Sequence, residues 1–471
     1  MASKLTREID ESPAGPRVAA FFDLDRTLIA GFSGLAFTRH LVRSGRLRSA
    51  GLGRTAVAAA RLGTGRGGFS GLIASFAAAL AGMRESEFEK LGEEIFIGSI
   101  AARVFPEARA LVRAHLKRKH TVAFVSSALR YQIDPLARDL GVKHVLCTRL
   151  EVKNGKLTGE VLRPACWGEG KALAMRDLAK AKRLDLSQSW FYGDSGSDVA
   201  ALEIVGNPRP TNPQPKLASI AAARGWPVRN FSSRGIPSAA DVVRTALALG
   251  SFGPAVATAL PALALNRSTR PAVNAALSAW GELGTALAGV KLRIEGEEHL
   301  WSQRPAVFVF NHQSAIEALL VCKLLRRDFV GIGKSEIQRV PLIGRIFEAF
   351  GTVFVDRSDP ARAIESLKPV VEAIREGYSV AIAPEGTRSP TPTLGRFKKG
   401  AFHLAMQARV PVVPIVFRNT LDALPKRGFV IRPATIEVVV HPPISTKAWR
   451  VATIEKHIED VRRKFLVTLD R

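Results

Sequence analysis

Short apolar runs recur along this chain, and the informative ones stop abruptly at polar clusters. Val18 to Leu24 leads into FFDLDRTLI, Thr121 to Val125 ends in two serines, and the run at Phe191 ends in GDSGSD. The punctuation returns later, where Ala306 to Phe310 stops at Asn311 and His312 and another run stops at PEGTRS. Runs of this length predict buried strands, and the helix-like stretches between them give the alternation of an α/β fold. In the second half, strands are predicted over Ala306 to Phe310, Phe329 to Gly333, Thr352 to Val355, Val380 to Ala383 and Val412 to Phe417. Helices are predicted over Ile316 to Leu325, Ala361 to Glu376 and Ala401 to Arg409.

The first half adds LEVKNGKLTGEV (150–161), whose alternation around Asn154-Gly155 predicts a type I′ hairpin. NPRPTNPQPK and the short GWPV run are expected to complete the first sheet, and FSSRGIPSAAD (231–241) reads as a linker. A polar N-terminus, residues 1–16, is expected to be a flexible tail. Ala246 to Leu265 carries no charge and is long enough to cross a bilayer, but Gly250, Gly253, Pro254 and Pro261 break it. A broken helical hairpin lying in a membrane interface is expected there, continued by Pro271 to Val290; a buried interdomain helix is the alternative.

At 471 residues the chain predicts two domains. Its 46% hydrophobic and 23% charged residues are those of a folded protein. The net charge of +26 is unusual and implies negatively charged partners. With no zinc-finger spacing, no RNP-type motif and only three tyrosines for stacking, anionic lipid is favoured and no nucleic acid is expected. Cys147, Cys166 and Cys322 form no disulfide or zinc pattern, which fits a reducing compartment.

Candidate chemistry sits at the run ends. Asp23 and Asp25, with Thr27 beyond, occupy the rim where open α/β sheets bind ligands. Two carboxylates one residue apart can both face a divalent cation, or act as nucleophile and acid/base. His312, followed five residues later by Glu317, can be a base with its orienting partner or a structural pair. The PEGTR turn brings a guanidinium, a hydroxyl and backbone N–H groups together, a set suited to a phosphomonoester.

In the first half, DLDRT, the serines ending TVAFVSS, Lys171 in GEGK and Asp194 and Asp198 in FYGDSGSD resemble, in order and chemistry, the haloacid dehalogenase superfamily of phosphatases. The closest branch is the phosphoserine-phosphatase-like one, over roughly residues 17–231. That resemblance implies a Rossmann-like parallel sheet with a helical cap inserted near 31–104. It also implies Asp23 as nucleophile, Asp25 as acid/base, Ser126 and Thr27 on the phosphoryl group, and Lys171 offsetting charge. Mg²⁺ would be held by Asp23, Asp25 (through its backbone carbonyl) and Asp194, with Asp198 in support.

In the second half, NHQSAIE, GTVFVDR, APEGTRS and VPVVPIV, in that order from about Val290 onward, resemble the glycerolipid acyltransferases that make phosphatidic acid from lysophosphatidic acid and an acyl thioester. Lys334-Ser335-Glu336 and Pro341 fit the same pattern. The family's first motif ends in Asp, where this chain has Glu317. The resemblance implies an αβ acyltransferase fold over 291–471, with residues 232–290 as linker and membrane-interface helices. It implies His312 as base with Glu317, and acceptor binding by Arg357, Glu385, Gly386, Thr387, Arg388 and Lys398. The expected donor is acyl-CoA or acyl carrier protein, and the expected location is the cytoplasmic face of the cell membrane, peripheral or monotopic. The alternative is a membrane-anchored phosphatase whose second half is an inactive lipid-binding module.

Overall fold

Strand β1 (Ala19–Phe22) has no polar side chain along its length because both faces of its sheet are covered. Ala20 and Phe22 enter one apolar core, and Ala19 and Phe21 the other. This is seen in a computed structural model that describes residues 5–45, 69–265, 269–334, 351–355 and 368–470, with isolated positions 338, 344 and 348. The chain divides into two units, Met1–Ile236 and Pro237–Arg471, inside the stretch read as a linker.

The first unit carries β2 (Thr121–Leu129), β3 (His144–Lys153), β4 (Lys156–Leu162), β5 (Trp190–Gly193) and β6 (Asn207–Pro210) in the order β4-β3-β2-β1-β5-β6. All pairings are parallel except the β3–β4 hairpin. Asn154 and Gly155 have φ of 50° and 70°, as a type I′ turn requires. Prolines 208 and 210 are tolerated in β6 because it is an edge strand. The GWPV run, expected as sheet, forms no strand; Trp226 instead packs beside the core around Phe191.

The N-terminal stretch is not the free tail expected of it. Its one-turn helix α1 (Arg7–Asp10) buries Ile9 completely. Glu8 accepts hydrogen bonds from the Arg209 and Arg229 guanidiniums. With Arg118, His120 and Thr121 bonding the carbonyls of Ser12, Pro13 and Pro16, these contacts dock it across about 100 to 200 residues of sequence, which local polarity does not reveal. The described part of the expected cap is helical, with α2 (Ser33–Arg43) followed by helices Phe69–Ala79 and Glu85–Ile95; residues 46–68 lie outside the described ones.

Under β1, a polar chain crosses the core. His115, on α3 (Pro106–Lys117), places Nε2 3.0 Å from the Tyr192 hydroxyl and Nδ1 2.9 Å from His120 Nδ1, while His120 Nε2 lies 2.8 Å from the Pro13 carbonyl. A carbonyl only accepts, so His120 donates from Nε2. With both rings neutral, His115 then donates from Nδ1 and accepts from Tyr192. Tyr192 in turn stacks on Phe22 at 4.4 Å.

In the second unit, β8 (Val307–Phe310) plays the part of β1, with Phe308 in one core and Val307 and Val309 in another. The remaining strands are β7 (Val290–Glu295), β9 (Phe329–Lys334), β10 (Val353–Val355), β11 (Ser379–Ile382), β12 (Val412–Phe417) and β13 (Ala434–Val440). Their order is β10-β9-β11-β8-β12-β13-β7, with only β12–β13 antiparallel. β7, β13 and the helix Ile454–Asp470 are not among the elements expected from the sequence. The run 410–416 is core, every residue of β12 being buried.

The apolar segment is three short helices, α5 (Ala239–Gly250), α6 (Phe252–Ala257) and α7 (Leu260–Leu265), followed by α8 (Arg270–Leu287). They belong to the second unit rather than to a separate linker. A Cβ on Gly281 would come within 2.4 Å of the Lys323 nitrogen and one on Gly284 within 2.8 Å of Leu319, so both glycines let α8 lie directly on α9 (Glu317–Leu325).

The buried histidine yields a prediction. Burial first, and His120 second, hold His115 well below the usual imidazole range, so it stays neutral in the folded protein. The unfolded chain takes up a proton below about pH 6.5, so this stabilisation is present above that pH and lost beneath it. His115→Leu should cost about 2–3 kcal/mol near pH 7.5 in denaturant titrations. The gap from wild type should narrow by up to about 1.4 kcal/mol per pH unit below 6.5. A gap constant down to pH 5 would refute the assignment.

Candidate active sites

Three adjacent parallel strands meet at the first site. Phe22 lies in register between Phe124 and Tyr192, so Asp23 and Asp194, just past the ends of β1 and β5, and Ser126, still within β2, lie within two residues of one level. Asp23, Asp194 and Asp198 are buried, with ligand oxygens all within 4.8 Å of one another. From the first turn of α4 (Glu169–Lys182), the buried Lys171 ammonium donates to Asp23 Oδ1 at 2.7 Å and to Asp198 Oδ1 at 2.6 Å. The second Asp198 oxygen accepts the N–H groups of Asp194 and Ser195, at 3.0 and 2.9 Å. Asp198 is thus fully engaged in holding Lys171 and the loop.

One ammonium among three buried carboxylates leaves excess negative charge. Burial raises the Asp23 carboxyl well above its ordinary range despite Lys171, and burial with the Asp198 charge pushes Asp194 up to about 6. Burial opposes the charge on Lys171, but Asp198 and Asp23 outweigh it and hold the ammonium protonated. A divalent cation on these hard oxygens would offset the excess, so the residues fit a metal. The Asp25 side chain is not in the cluster. Its Oδ1 accepts the Ser33 N–H at 2.7 Å, and burial raises its carboxyl, as suits a proton donor. Thr27 is buried with its hydroxyl unpartnered among the described residues. Ser126 is buried at the same rim, its Oγ 3.2 Å from the Ala128 nitrogen. Two supports were not read from the sequence. Gln214 donates to Asp194 Oδ2 at 3.0 Å, and Arg26 Nε lies 2.8 Å from that oxygen, close enough for an ion pair but not aligned as a hydrogen bond.

The second site begins where β8 ends. Asn311 exchanges two 2.8 Å hydrogen bonds with the Phe417 backbone and ties the loop to β12. His312 Nδ1 lies 2.6 Å from Glu317 Oε2 at the start of α9. Glu317 is completely buried, and its oxygens also accept the Gln313 and Ser314 N–H groups and the Thr420 hydroxyl at 2.6 Å. The longer carboxylate therefore reaches the imidazole. Thr420 was not among the expected site residues, although it lies three positions past the end of β12.

The PEGTR turn divides by role. Gly386, at φ +75°, makes the turn possible. Thr387 and Arg388 line a cavity of about 480 Å³ together with His312 and Lys426, the last not foreseen. Glu385, grouped by sequence with the acceptor-binding residues, instead accepts the N–H of His312 and of Gly395, each at 2.8 Å, and positions the loop. Lys398 lies over Gly386 and is not among the cavity's lining residues. Arg357 lies outside the described residues, as do Ser335, Glu336 and Pro341. Apart from Thr352, the rest of the cavity wall is mostly apolar, including Leu277 and Trp280 from α8, Val321 from α9, Phe329, Ile332 and Phe354.

Each unit thus presents one site at the carboxyl ends of parallel strands, a carboxylate-and-lysine site and a histidine–carboxylate site. Residues 20–203 match the haloacid dehalogenase-like hydrolase family and residues 291–418 the acyltransferase family. A 1-acyl-sn-glycerol-3-phosphate acyltransferase of Limnanthes douglasii is 36% identical over 190 residues, 40% of this chain and 67% of the relative. A "probable phosphatase" of Mycobacterium tuberculosis is 35% identical over 240 residues, 49% of this chain and 83% of the relative. The solved 1-acyl-sn-glycerophosphate acyltransferase of Thermotoga maritima aligns over 49% of this chain and 98% of its own at 22% identity, with a TM-score of 0.41. The chain belongs to both families, carrying a haloacid dehalogenase-like hydrolase domain followed by an acyltransferase domain.

The Glu317 bonding predicts graded losses in acyl transfer. Glu317→Gln turns an amide toward donors and should lower kcat by about 10²- to 10⁴-fold. Thr420→Val, which removes one of the carboxylate's hydrogen bonds, should lower kcat by about 3- to 10-fold with KM little changed. Equal KM effects in steady-state assays would place Thr420 in acceptor binding instead.

Proposed function

We propose that the second unit transfers an acyl group from an acyl thioester, acyl-CoA or acyl carrier protein, to 1-acyl-sn-glycerol 3-phosphate, giving phosphatidic acid. The observation that carries this is the His312–Glu317 pair opening on an apolar cavity that also holds Thr387, Arg388 and Lys426. With Nδ1–H donated to Glu317, His312 keeps Nε2 free to take the acceptor hydroxyl proton as that oxygen attacks the thioester carbonyl. The carbon–sulfur bond then breaks, and the proton passes to the leaving thiolate. Thr387, Arg388 and Lys426 are the groups for the acceptor phosphate, and the apolar wall takes acyl chain. The tight engagement of Glu317 favours this over an inactive lipid-binding module.

The first unit is, in this reading, a Mg²⁺-dependent phosphomonoesterase. Asp23 attacks phosphorus to form an aspartyl phosphate, Asp25 protonates the departing oxygen and then activates water, and Lys171 offsets charge. A bound Mg²⁺, held by Asp23 and Asp194, supplies charge neutralisation on the phosphoryl oxygens. Asp23→Asn should abolish phosphate release while acyl transfer persists in parallel assays of one preparation. Loss of both activities in a folded variant would mean that the two heads are not independent.

We place the protein on a membrane surface, at the cytoplasmic face. The run Ala239–Leu265 is long and apolar enough to cross a bilayer but is broken into three helices, and Val243, Leu247, Leu249, Leu260 and Leu265 are exposed on it. With the +26 charge this favours interfacial attachment to anionic lipid. In flotation assays the protein should bind anionic vesicles, with high salt removing only part of it. Absence of binding at any salt concentration would remove the membrane from this reading.

A further inference from the structure

We propose that the phosphatase head is specific for phosphomonoesters whose alcohol carries an apolar chain, with Phe32 and Leu35 as the surface on which that chain lies. This rests on the phosphatase reading above and names the substrate class of that site.

The leaving group must lie beside Asp25, because Asp25 delivers the proton to the departing oxygen. Asp25 is tethered to α2, its Oδ1 accepting the Ser33 N–H at 2.7 Å. The side chains nearest to the alcohol are therefore those at the start of that helix. Phe32, the extended residue that precedes the helix, is 49% exposed, and Leu35, in the helix's first turn, is 62% exposed. The opposite face already anchors the helix through Ser33, Ala36, Phe37 and Leu41, all buried. Phe32 and Leu35 thus add little to the fold, and the chemistry next to them gives them an occupant.

No acidic residue stands in the first turn of α2, so this turn offers an amino-acid ammonium no partner. The neighbouring charge is cationic, since the Arg103 guanidinium comes within 3.9 Å of the position a Cβ on Gly31 would occupy. Phosphoserine would bring an ammonium with no partner in this turn and a carboxylate that Arg103 can pair, so what sets an alkyl or glycerolipid phosphate apart is the contact its chain gains on Phe32 and Leu35.

The test is kcat/KM of the full-length protein with Mg²⁺ over n-alkyl phosphates from ethyl to octyl, below their aggregation concentrations, with phosphoserine and p-nitrophenyl phosphate alongside. Wild type should gain about two-fold per methylene, half the roughly four-fold that full burial would give. Phosphoserine should rank below octyl phosphate. Phe32→Ser with Leu35→Ser should flatten the octyl-to-ethyl ratio at least ten-fold. Val42→Ser, an exposed position about 15 Å along the helix from Phe32 and beyond an octyl chain, should leave that ratio unchanged. A flat wild-type series, a preference for phosphoserine, an unchanged ratio in the double variant, or a ratio flattened equally by Val42→Ser would each overturn the proposal while p-nitrophenyl phosphate is still hydrolysed. Release of phosphate from none of the compounds would instead overturn the phosphatase reading, and this proposal with it.

Discussion

A parallel strand buried on both faces has no room for polar side chains along its length, so whatever chemistry it carries must appear where it stops. β1 and β8 both obey this constraint. Each sits inside its sheet, each feeds alternate residues into two apolar cores, and each is followed within two residues by its unit's candidate reactive residue, Asp23 or His312. The neighbouring strands are held in register by the same burial, so Ser126 and Asp194 arrive beside Asp23, and the PEGTR turn and Thr420 close around His312. The sites follow from the layering of the two sheets.

Buried charge is handled differently at the two rims. In the first unit, Lys171 is shared between Asp23 and Asp198, and the remaining negative charge calls for a cation. In the second, Glu317 is satisfied by backbone N–H groups, a hydroxyl and the imidazole, a set of donors that also fixes which histidine nitrogen faces the carboxylate. Deleting one partner in either set leaves a buried charge uncompensated, which is why such changes act on chemistry and folding together.

The helices from Ala239 to Leu287 link two properties of the second unit. Through Gly281 and Gly284, α8 packs on the helix that begins with Glu317, and through Leu277 and Trp280 it forms part of the cavity wall. The preceding helices expose leucines and valines instead. An exposed apolar surface is thereby continuous in sequence with the wall of the cavity.

Local pattern was enough for the strand ends, the Asn154-Gly155 hairpin, the alternation that defines both α/β units, and the motifs that resemble the two families. These are properties of neighbouring residues, where period and turn chemistry speak directly. Packing alone settled the rest. Glu317 acquires its meaning from Thr420, 103 positions away, and Glu385 turns from acceptor binding to bracing the His312 backbone 73 positions before it. The polar N-terminus docks because Ile9 finds a core and Glu8 finds Arg209 and Arg229, and GWPV remains outside the sheet despite its apolar residues. In each case the deciding partner is remote in the chain, and periodicity records which face a side chain occupies but not what meets it there.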